Sequence, residues 1–249
     1  MLTLRRLLAL FALISICPLQ AGEPTPAQLY LLMGQSNMVG RDNTGLTTQT
    51  PNPRILVFVA PDQWKVAREP LNSDGSGMGP GIPFAAALLA QDPAATIGLI
   101  PTAVGGTALN RWVKGGDLYE KAIRQAKAAL ASGGQLRGVL WHQGESDSIK
   151  KADADTYETR LLRMFADLRA DLGQPQLPIV MGQLGDFVNL PFTPTVRAAL
   201  NDIPTKIEHV TLVDAAGLPH KGDHLHFTTA AQEELGRRYA KAMQALQPQ

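Results

Sequence analysis

Cysteine is almost absent from this chain of 249 residues, in which Cys17 is the only one. It lies in an N-terminal stretch with the features of a cleaved leader, so the rest of the chain can form no disulfide. The chain is therefore unlike the small secreted modules whose folds depend on disulfide bonds. An excess of charge of one sign is absent too, because 23 basic residues face 22 acidic ones. A near-neutral surface gives no reason to expect nucleic acid or an anionic membrane as a partner.

The N-terminus also lacks a hydrophobic run long enough to stay in a membrane. Its apolar run covers Leu7 to Ile16, which is too short to span a bilayer comfortably as a permanent helix. Arg5 and Arg6 precede this run, and the small residue Ala21 ends the segment. A basic start, a short apolar middle and a small residue before the break are typical of a secretory signal peptide.

Cleavage near Ala21 would divide the chain into a signal peptide, residues 1–21, and a single domain, residues 22–249. Loss of the two leader arginines leaves 21 basic residues against 22 acidic ones, a formal charge of −1. Lipoprotein processing is disfavoured, because the bulky Ile16 before Cys17 fits such a site poorly. The sequence therefore predicts an exported protein, periplasmic or secreted, with no membrane attachment after cleavage.

Strand-like and helix-like segments alternate along the chain. Strands are predicted at Leu29–Met33, Arg54–Ala60, Thr96–Ile100, Gly138–Trp141, Ile179–Met181 and Val210–Val213. Helices are predicted over Phe84–Ala90, Leu118–Ala131, Tyr157–Leu168 and Val196–Leu200, and in a last helix that starts with a capping box of Thr229 and Gln232. Such alternation predicts an α/β fold, with a central parallel sheet and helices on both faces.

Three of the predicted strands end in unusual polar or glycine turns. These turns are Gln35-Ser36-Asn37, Gly105-Gly106-Thr107 and Gln143-Gly144-Glu145. The carboxyl ends of parallel strands share one edge of the sheet, where open α/β sheets bind ligands. Each turn also has a plain interpretation: Ser36 can be a helix N-cap, and a Gly-Gly turn often serves only the backbone. A glycine-rich loop, Pro70–Pro83, is expected beside the same edge.

Ser36 has candidate catalytic partners near the C-terminus. A serine hydroxyl is a poor nucleophile until a base takes its proton, and histidine suits that task because its ordinary pKa lies near neutrality. His226 is the candidate base, and Asp223, three residues earlier, can accept the hydrogen bond from its other ring nitrogen. The tetrahedral oxyanion would need donors: the N–H groups of Ser36 and of the Gly105-Gly106 turn, and the amide of Gln143.

Four sequence blocks occur in an order that resembles a known superfamily. They are Gly34-Gln35-Ser36-Asn37-Met38, Gly105-Gly106-Thr107, Trp141-His142-Gln143-Gly144-Glu145-Ser146-Asp147 and Asp223-His224-Leu225-His226-Phe227. Together they resemble the SGNH-hydrolase superfamily, in particular its branch of sialate O-acetylesterases and acetyl xylan esterases. The resemblance covers nearly the whole chain from Leu29 to the last helix.

The resemblance implies a flavodoxin-like three-layer α/β/α sandwich and deacetylation of acetylated oligo- or polysaccharide without a metal or other cofactor. It assigns the nucleophile to Ser36, the base to His226 and the orienting acid to Asp223. The oxyanion donors fall on Gly105-Gly106 and on Gln143, where the wider superfamily has asparagine. His142 is left out of the triad, since it precedes Gln143 and can face the other side of the strand.

Two neighbouring features keep open interpretations. Glu145 and Asp147, two carboxylates that follow a predicted strand, could support the structure, bind a sugar, hold Arg111 or cap the helix that follows. Structural support is favoured. Trp112, near the glycine turn, could stack on a sugar ring or belong to the core.

Three rival functions remain. A metal site is conceivable because His220, Asp223, His224 and His226 cluster within seven residues, but it leaves Ser36, the glycine turn and Gln143 without a purpose. A carbohydrate-binding protein without catalysis is disfavoured, because every triad role is filled. A lipase or thioesterase would want a deep apolar cleft for its acyl chain, and the polar glycine-rich loops favour a small acyl group instead.

Overall fold

The computed structural model describes residues 26–46 and 50–247. The predicted signal peptide, its cleavage site and Cys17 lie outside the described residues. Among the helices of the described part, none is both long and apolar enough to cross a membrane.

In residues 26–46 and 50–247, seven strands form one sheet in the order β3-β2-β4-β1-β5-β6-β7. The strands are β1 Gln28–Gly34, β2 Ile55–Val59, β3 Gln63–Val66, β4 Ile97–Pro101, β5 Gln135–His142, β6 Ile179–Gly182 and β7 Val210–Val213. Every neighbouring pair is parallel except β2 and β3, which form an antiparallel hairpin at one edge. The parallel central sheet predicted from the alternating pattern is confirmed, whereas the edge strand β3 was not predicted.

Within the described residues, seven α-helices surround this sheet. They are α1 Ser36–Val39, α2 Gly81–Gln91, α3 Asp117–Ala131, α4 Lys151–Asp155, α5 Tyr157–Asp171, α6 Thr193–Lys206 and α7 Thr229–Leu246, with a short 3₁₀ helix at Leu109–Arg111. Helix α6 is longer than predicted and contains Pro204. Helix α4 was not predicted.

Alternate residues of β1 face two separate cores, as the period of two of a strand requires. Leu29, Leu31 and Met33 pack with residues of α3, α5 and α6. Tyr30 and Leu32 pack with residues of α2 and α7 on the other side of the sheet. Because all five side chains are fully buried, both faces of the sheet are covered. The predicted three-layer α/β/α sandwich is confirmed.

Strand β1 lies in the middle of the sheet, between β4 and β5. Past its end, the N–H of Val104 donates to the carbonyl of Gly34 at 3.0 Å, and the N–H of Gln35 donates to the carbonyl of His142 at 2.9 Å. The segments that follow β4 and β5 therefore run beside the turn that carries Ser36. This topology brings the three polar turns to one place.

The cap of α7 lies one residue earlier than predicted. Thr228 is the N-cap, and its side chain accepts a hydrogen bond from the N–H of Ala231 at 3.1 Å. Thr229 instead donates its hydroxyl to the carbonyl of Asp42. The side chain of Gln232 donates to the carbonyl of Asn37 at 2.9 Å and does not close a capping box. This part of the prediction was wrong, because tertiary contacts engage both side chains.

Candidate active site

Gly34 sets up the turn that presents Ser36. Its φ of 129° lies outside the range that other residues favour, and a Cβ there would stand 2.1 Å from the carbonyl oxygen of His142. The chain can therefore turn sharply against β5 only with glycine at this position. Ser36 then occupies the first position of α1, while Gln35 is the N-cap residue. The plain interpretation of Ser36 as a helix cap is not what the structure contains.

Ser36, His226 and Asp223 form a continuous hydrogen-bonded line. The hydroxyl oxygen of Ser36 lies 3.0 Å from Nε2 of His226, and Nδ1 of His226 lies 2.7 Å from Oδ2 of Asp223. The three residues come from opposite ends of the chain, since Ser36 follows β1 and the other two precede α7. The order of contacts is the one that general-base activation of a serine requires.

The loop before α7 keeps Asp223 in its charged form. Partial burial opposes ionisation, but the N–H groups of His226 and Leu225 both donate to Oδ1 of Asp223, at 2.9 and 3.0 Å. Together with the contact to the ring of His226, these bonds hold the pKa of the Asp223 carboxyl well below its usual range. Asp223 is therefore a charged carboxylate at neutral pH and accepts the hydrogen bond from the His226 ring.

His224 points away from the triad. Its backbone has a φ of 54°, and its ring packs against that of His220 with 4.1 Å between the centroids. Nδ1 of His220 accepts hydrogen bonds from the N–H groups of Gly222 and His224, at 3.0 and 3.1 Å. The histidine cluster is thus used to fold the loop. Over residues 26–46 and 50–247, no three His, Cys, Asp or Glu side chains converge as a metal site.

The two glycines of the second turn differ in what their N–H groups do. The N–H of Gly105 donates to Oδ2 of Asp74 at 3.0 Å, and Arg41 binds the same oxygen at 3.1 Å. The N–H groups of Gly106 and Ser36 have no partner within the described part of the chain. Of the predicted oxyanion donors on the backbone, Ser36 and Gly106 are therefore available, whereas Gly105 is engaged.

Gln143 is fully buried, and its amide is directed at protein acceptors. Nε2 lies 2.6 Å from Oδ2 of Asp147, 3.0 Å from the carbonyl of Thr107 and 3.2 Å from Oε1 of Gln35. Both amide hydrogens are thereby used, so Gln143 has no N–H to offer an oxyanion. The predicted role of Gln143 as an oxyanion donor is therefore wrong. Its amide instead connects the three polar turns on their buried side.

A family model described as carbohydrate esterase, sialic acid-specific acetylesterase, matches residues 26–245. The chain belongs to this family. A probable carbohydrate esterase of Arabidopsis thaliana is 38% identical over an alignment of 241 positions, which covers 87% of this chain and 90% of the relative. The predicted enzyme class, a carbohydrate O-acetylesterase, is confirmed by these matches.

Solved structures agree with the fold of this esterase. The Arabidopsis thaliana protein, at 36% identity, superposes with a TM-score of 0.81 and covers 88% of this chain and 98% of its own. The structure of NanS, at 19% identity, gives a TM-score of 0.73, with coverage of 89% and 98%. A carbohydrate acetylesterase from Xanthomonas citri, at 21% identity, gives 0.68, with coverage of 88% and 56%. The last two similarities concern the fold alone.

Two side chains singled out for substrate binding have other partners in the esterase. Trp112 is fully buried, donates from Nε1 to Oγ1 of Thr107 at 3.0 Å and packs edge-to-face on Trp141 at 5.6 Å between centroids. Stacking of Trp112 on a sugar is therefore excluded, and its interpretation as a core residue is correct. Arg111 pairs with Asp117, Nε to Oδ1 at 2.9 Å, and does not bind Glu145.

His142 lies on the far side of β5 from Trp141, as its place in the strand suggests. It is fully buried, and its Nδ1 lies 2.7 Å from the hydroxyl of Tyr239 on α7. Burial lowers the pKa of His142 to about 3, so the ring is neutral. Its exclusion from the triad agrees with this geometry.

Two residues that contact other residues of the site, Asn37 and Asp74, were not predicted from the sequence. Asn37 was quoted only as a motif letter, yet it contacts Glu145 and the loop that carries His226. Asp74 was hidden in the glycine-rich loop, although that loop was correctly placed beside the site. Adjacency to Ser36 was the one signal that pointed to Asn37; for Asp74 the sequence contained none.

Proposed function

We propose that the esterase removes O-acetyl groups from acetylated carbohydrate through an acetyl-enzyme on Ser36. The observation that carries this proposal is the hydrogen-bonded line from Ser36 through His226 to Asp223. The substrate class is an acetylated oligo- or polysaccharide, such as acetyl xylan, an acetylated sialic acid glycan or a related polymer.

In the first step, the hydroxyl oxygen of Ser36 attacks the carbonyl carbon of the acetyl ester while Nε2 of His226 takes its proton. The tetrahedral intermediate collapses, the ester C–O bond to the sugar breaks, and His226 returns the proton to the sugar oxygen. Asp223 stabilises the imidazolium and fixes the tautomer that leaves Nε2 free as a base.

In the second step, water attacks the acetyl group on Ser36. His226 takes a proton from this water and gives it to the serine oxygen as the bond between Ser36 and the acetyl group breaks. Acetic acid leaves and loses its proton to solvent, and the enzyme is restored.

The negative charge on the carbonyl oxygen needs fixed donors in both steps. The unpartnered N–H groups of Ser36 and Gly106 fill this role in the proposal. The engagement of Gly105 by Asp74 supports it indirectly, because that bond fixes the turn from which Gly106 presents its N–H. Loss of one such donor typically raises the barrier by about 3 kcal/mol.

The acyl group is proposed to be small. A large cavity, about 1090 Å³, lies beside α2 and α7, with Ile82, Ala86 and Ala240 in its wall, and none of Ser36, Asp223 and His226 lines it. This cavity therefore does not supply a long-chain acyl pocket at the nucleophile. The location is proposed to be outside the cytoplasm, on the evidence of the leader sequence alone.

The test is acetate release from a panel of acetylated xylo-oligosaccharides, acetylated sialosides and other acetylated glycans. A series of p-nitrophenyl esters from acetate to octanoate is measured beside it. We expect acetate release from at least one glycan and a steep fall in kcat/KM beyond the acetyl ester. A preference for octanoate would instead support a lipase or thioesterase, and the absence of any ester hydrolysis would overturn the proposal.

A further inference from the structure

We propose that Asn37 and Glu145 are positioning residues, which hold His226 in line with Ser36 from the buried side of the site. This inference rests on the proposed function, because it assigns a purpose to residues that touch neither substrate nor reacting atoms.

Asn37 brackets the proposed base. Its Nδ2 donates to the carbonyl of Leu225 at 3.0 Å, and its Oδ1 accepts from the N–H of Phe227 at 3.2 Å. One carboxamide thus binds the residues on both sides of His226, about 190 positions along the chain. Since Asn37 directly follows Ser36, nucleophile and base are connected through a single side chain.

This bracket needs a carboxamide. One planar group must donate to the carbonyl of Leu225 and accept from the N–H of Phe227. An aspartate in the same place could accept from Phe227 but could not donate to Leu225 while ionised. An alanine would leave the buried N–H of Phe227 and the partly buried carbonyl of Leu225 without this partner.

Glu145 decides which way the carboxamide faces. The second hydrogen of Nδ2 is donated to Oε1 of Glu145 at 2.6 Å. Since Oε1 of Glu145 accepts this bond, it holds the nitrogen of Asn37 on its own side and leaves Oδ1 toward Phe227. Asn37 is also held from α7, where Gln232 donates to its backbone carbonyl.

Glu145 is kept at a cost in stability. Glu145 is 2% exposed, and its Oε2 has no hydrogen-bond partner among the described residues. Burial raises the pKa of this carboxyl, against the bond from Asn37 that favours the charged form. A buried, half-satisfied carboxyl group contributes little to folding. Its contact with Asn37 gives it a reason to be there.

The experiment compares Asn37→Ala, Asn37→Asp, Glu145→Ala and Glu145→Gln with Gln183→Ala. Gln183 is a matched control: it is also a buried carboxamide with two donated bonds and one accepted bond, to Arg197, Asn201 and Leu184. None of its partners belongs to the triad. Each folded variant is assayed for kcat and KM on one acetyl ester, and for its rate of inactivation by a serine-directed phosphonate.

We expect both Asn37 variants to lower kcat and the inactivation rate together, by about 100-fold, with little change in KM, because a displaced base no longer meets the serine. Glu145→Ala should lower both by about 10-fold. Glu145→Gln should retain most activity, since its amide oxygen can still accept from Asn37. Gln183→Ala should leave both rates near wild type while lowering the melting temperature.

The inference is overturned if folded Asn37→Asp, which keeps the size of the side chain, turns over like wild type. It is also overturned if Glu145→Gln loses as much as Glu145→Ala, or if Gln183→Ala loses as much as Asn37→Ala. A wild-type enzyme that neither hydrolyses acetyl esters nor reacts with the phosphonate would contradict the proposed function instead.

Discussion

Two adjoining regions of the site contain similar polar side chains but differ in exposure. The triad line consists of Ser36, His226 and Asp223; Ser36 is 5% exposed, and the side chains of His226 and Asp223 are 18% and 33% exposed. The second region, which we call the buried support, lies on the buried side of this line, and each of its residues is at most 2% exposed. Its residues are Gln35, Asn37, Gln143, Glu145 and Asp147.

The comparison shows that two kinds of residue share the same sequence motifs. Asp223 and Asp147 each accept several hydrogen bonds. One of the donors to Asp223 is the ring of His226. The donors to Asp147 are the N–H of Leu109 and the side chains of Gln143 and Arg160. The first set of partners includes a group that can move a proton, and the second does not. Changes in the triad line should therefore lower the rate, and changes in the buried support should mainly lower stability or alignment.

The largest effect should come from Ser36→Ala. Removal of the nucleophile is expected to lower kcat by about 10⁴-fold or more, with the fold intact, because only binding and oxyanion stabilisation remain. Hydrolysis of p-nitrophenyl acetate by the purified variant, with circular dichroism as the control for folding, measures this. Near-wild-type turnover would remove Ser36 from the mechanism.

His226→Ala and His224→Ala should separate the base from its neighbour. His226→Ala is expected to lose at least about 10³-fold in kcat, while His224→Ala stays within about tenfold, since His224 packs on His220 and faces away from Asp223. Both are assayed on the same acetyl ester. An inactive His224 variant beside an active His226 variant would show that the base is assigned to the wrong histidine.

Much of this site follows from the sequence because its chemistry is local. The apolar run of β1, the abrupt change at Gly34 and the three-residue spacing from Asp223 to His226 all appear within short segments. The use of Gln143 does not follow, because two of its three acceptors, Thr107 and Gln35, come from other turns, and all three compete with an oxyanion for the same two hydrogens. Edge strand β3 was missed since Gln63, Lys65 and Val66 are exposed and show no buried period.

The same substitution in both regions sharpens the contrast. Asp223→Asn should lower kcat by about 10³- to 10⁴-fold, because the amide can favour the wrong tautomer of His226. Asp147→Asn should lower the free energy of unfolding by about 2 kcal/mol, because an amide cannot accept the bonds from Leu109, Gln143 and Arg160 on both of its ends. Urea unfolding and steady-state kinetics on both variants measure this. Equal losses of rate in the two would erase the proposed distinction.

A partly buried carboxyl outside both regions gives a smaller effect, on stability alone. Burial raises the pKa of Glu69 to about 8, and its Oε1 has no partner among the described residues. The folded state therefore keeps a proton that the unfolded state releases above its ordinary pKa of 4.5. This contribution is full below pH 4.5 and is lost as the pH rises through 8.

Glu69→Gln stays neutral at every pH, so the variant should gain stability relative to wild type between pH 5 and pH 9, with kcat unchanged. Urea unfolding at both pH values provides the measurement. A constant difference in stability across this range would show that Glu69 ionises normally in the folded protein.

Chelation should have the smallest effect. Exhaustive treatment with EDTA is expected to leave kcat unchanged, because the proposed steps use only protein groups and water. Loss of activity that Zn²⁺ restores would favour a metal role for His220 and His224.

The most direct test of the account is the identity of the atom that carries the acetyl group during turnover. Wild-type enzyme is mixed with excess p-nitrophenyl acetate, quenched in acid within the first turnover and digested with trypsin. Mass spectrometry should then find the acetyl group on Ser36, in the peptide that ends at Arg41, and find none there in Ser36→Ala. Acetylation of a different residue, or full turnover by Ser36→Ala, would contradict the mechanism proposed for this esterase.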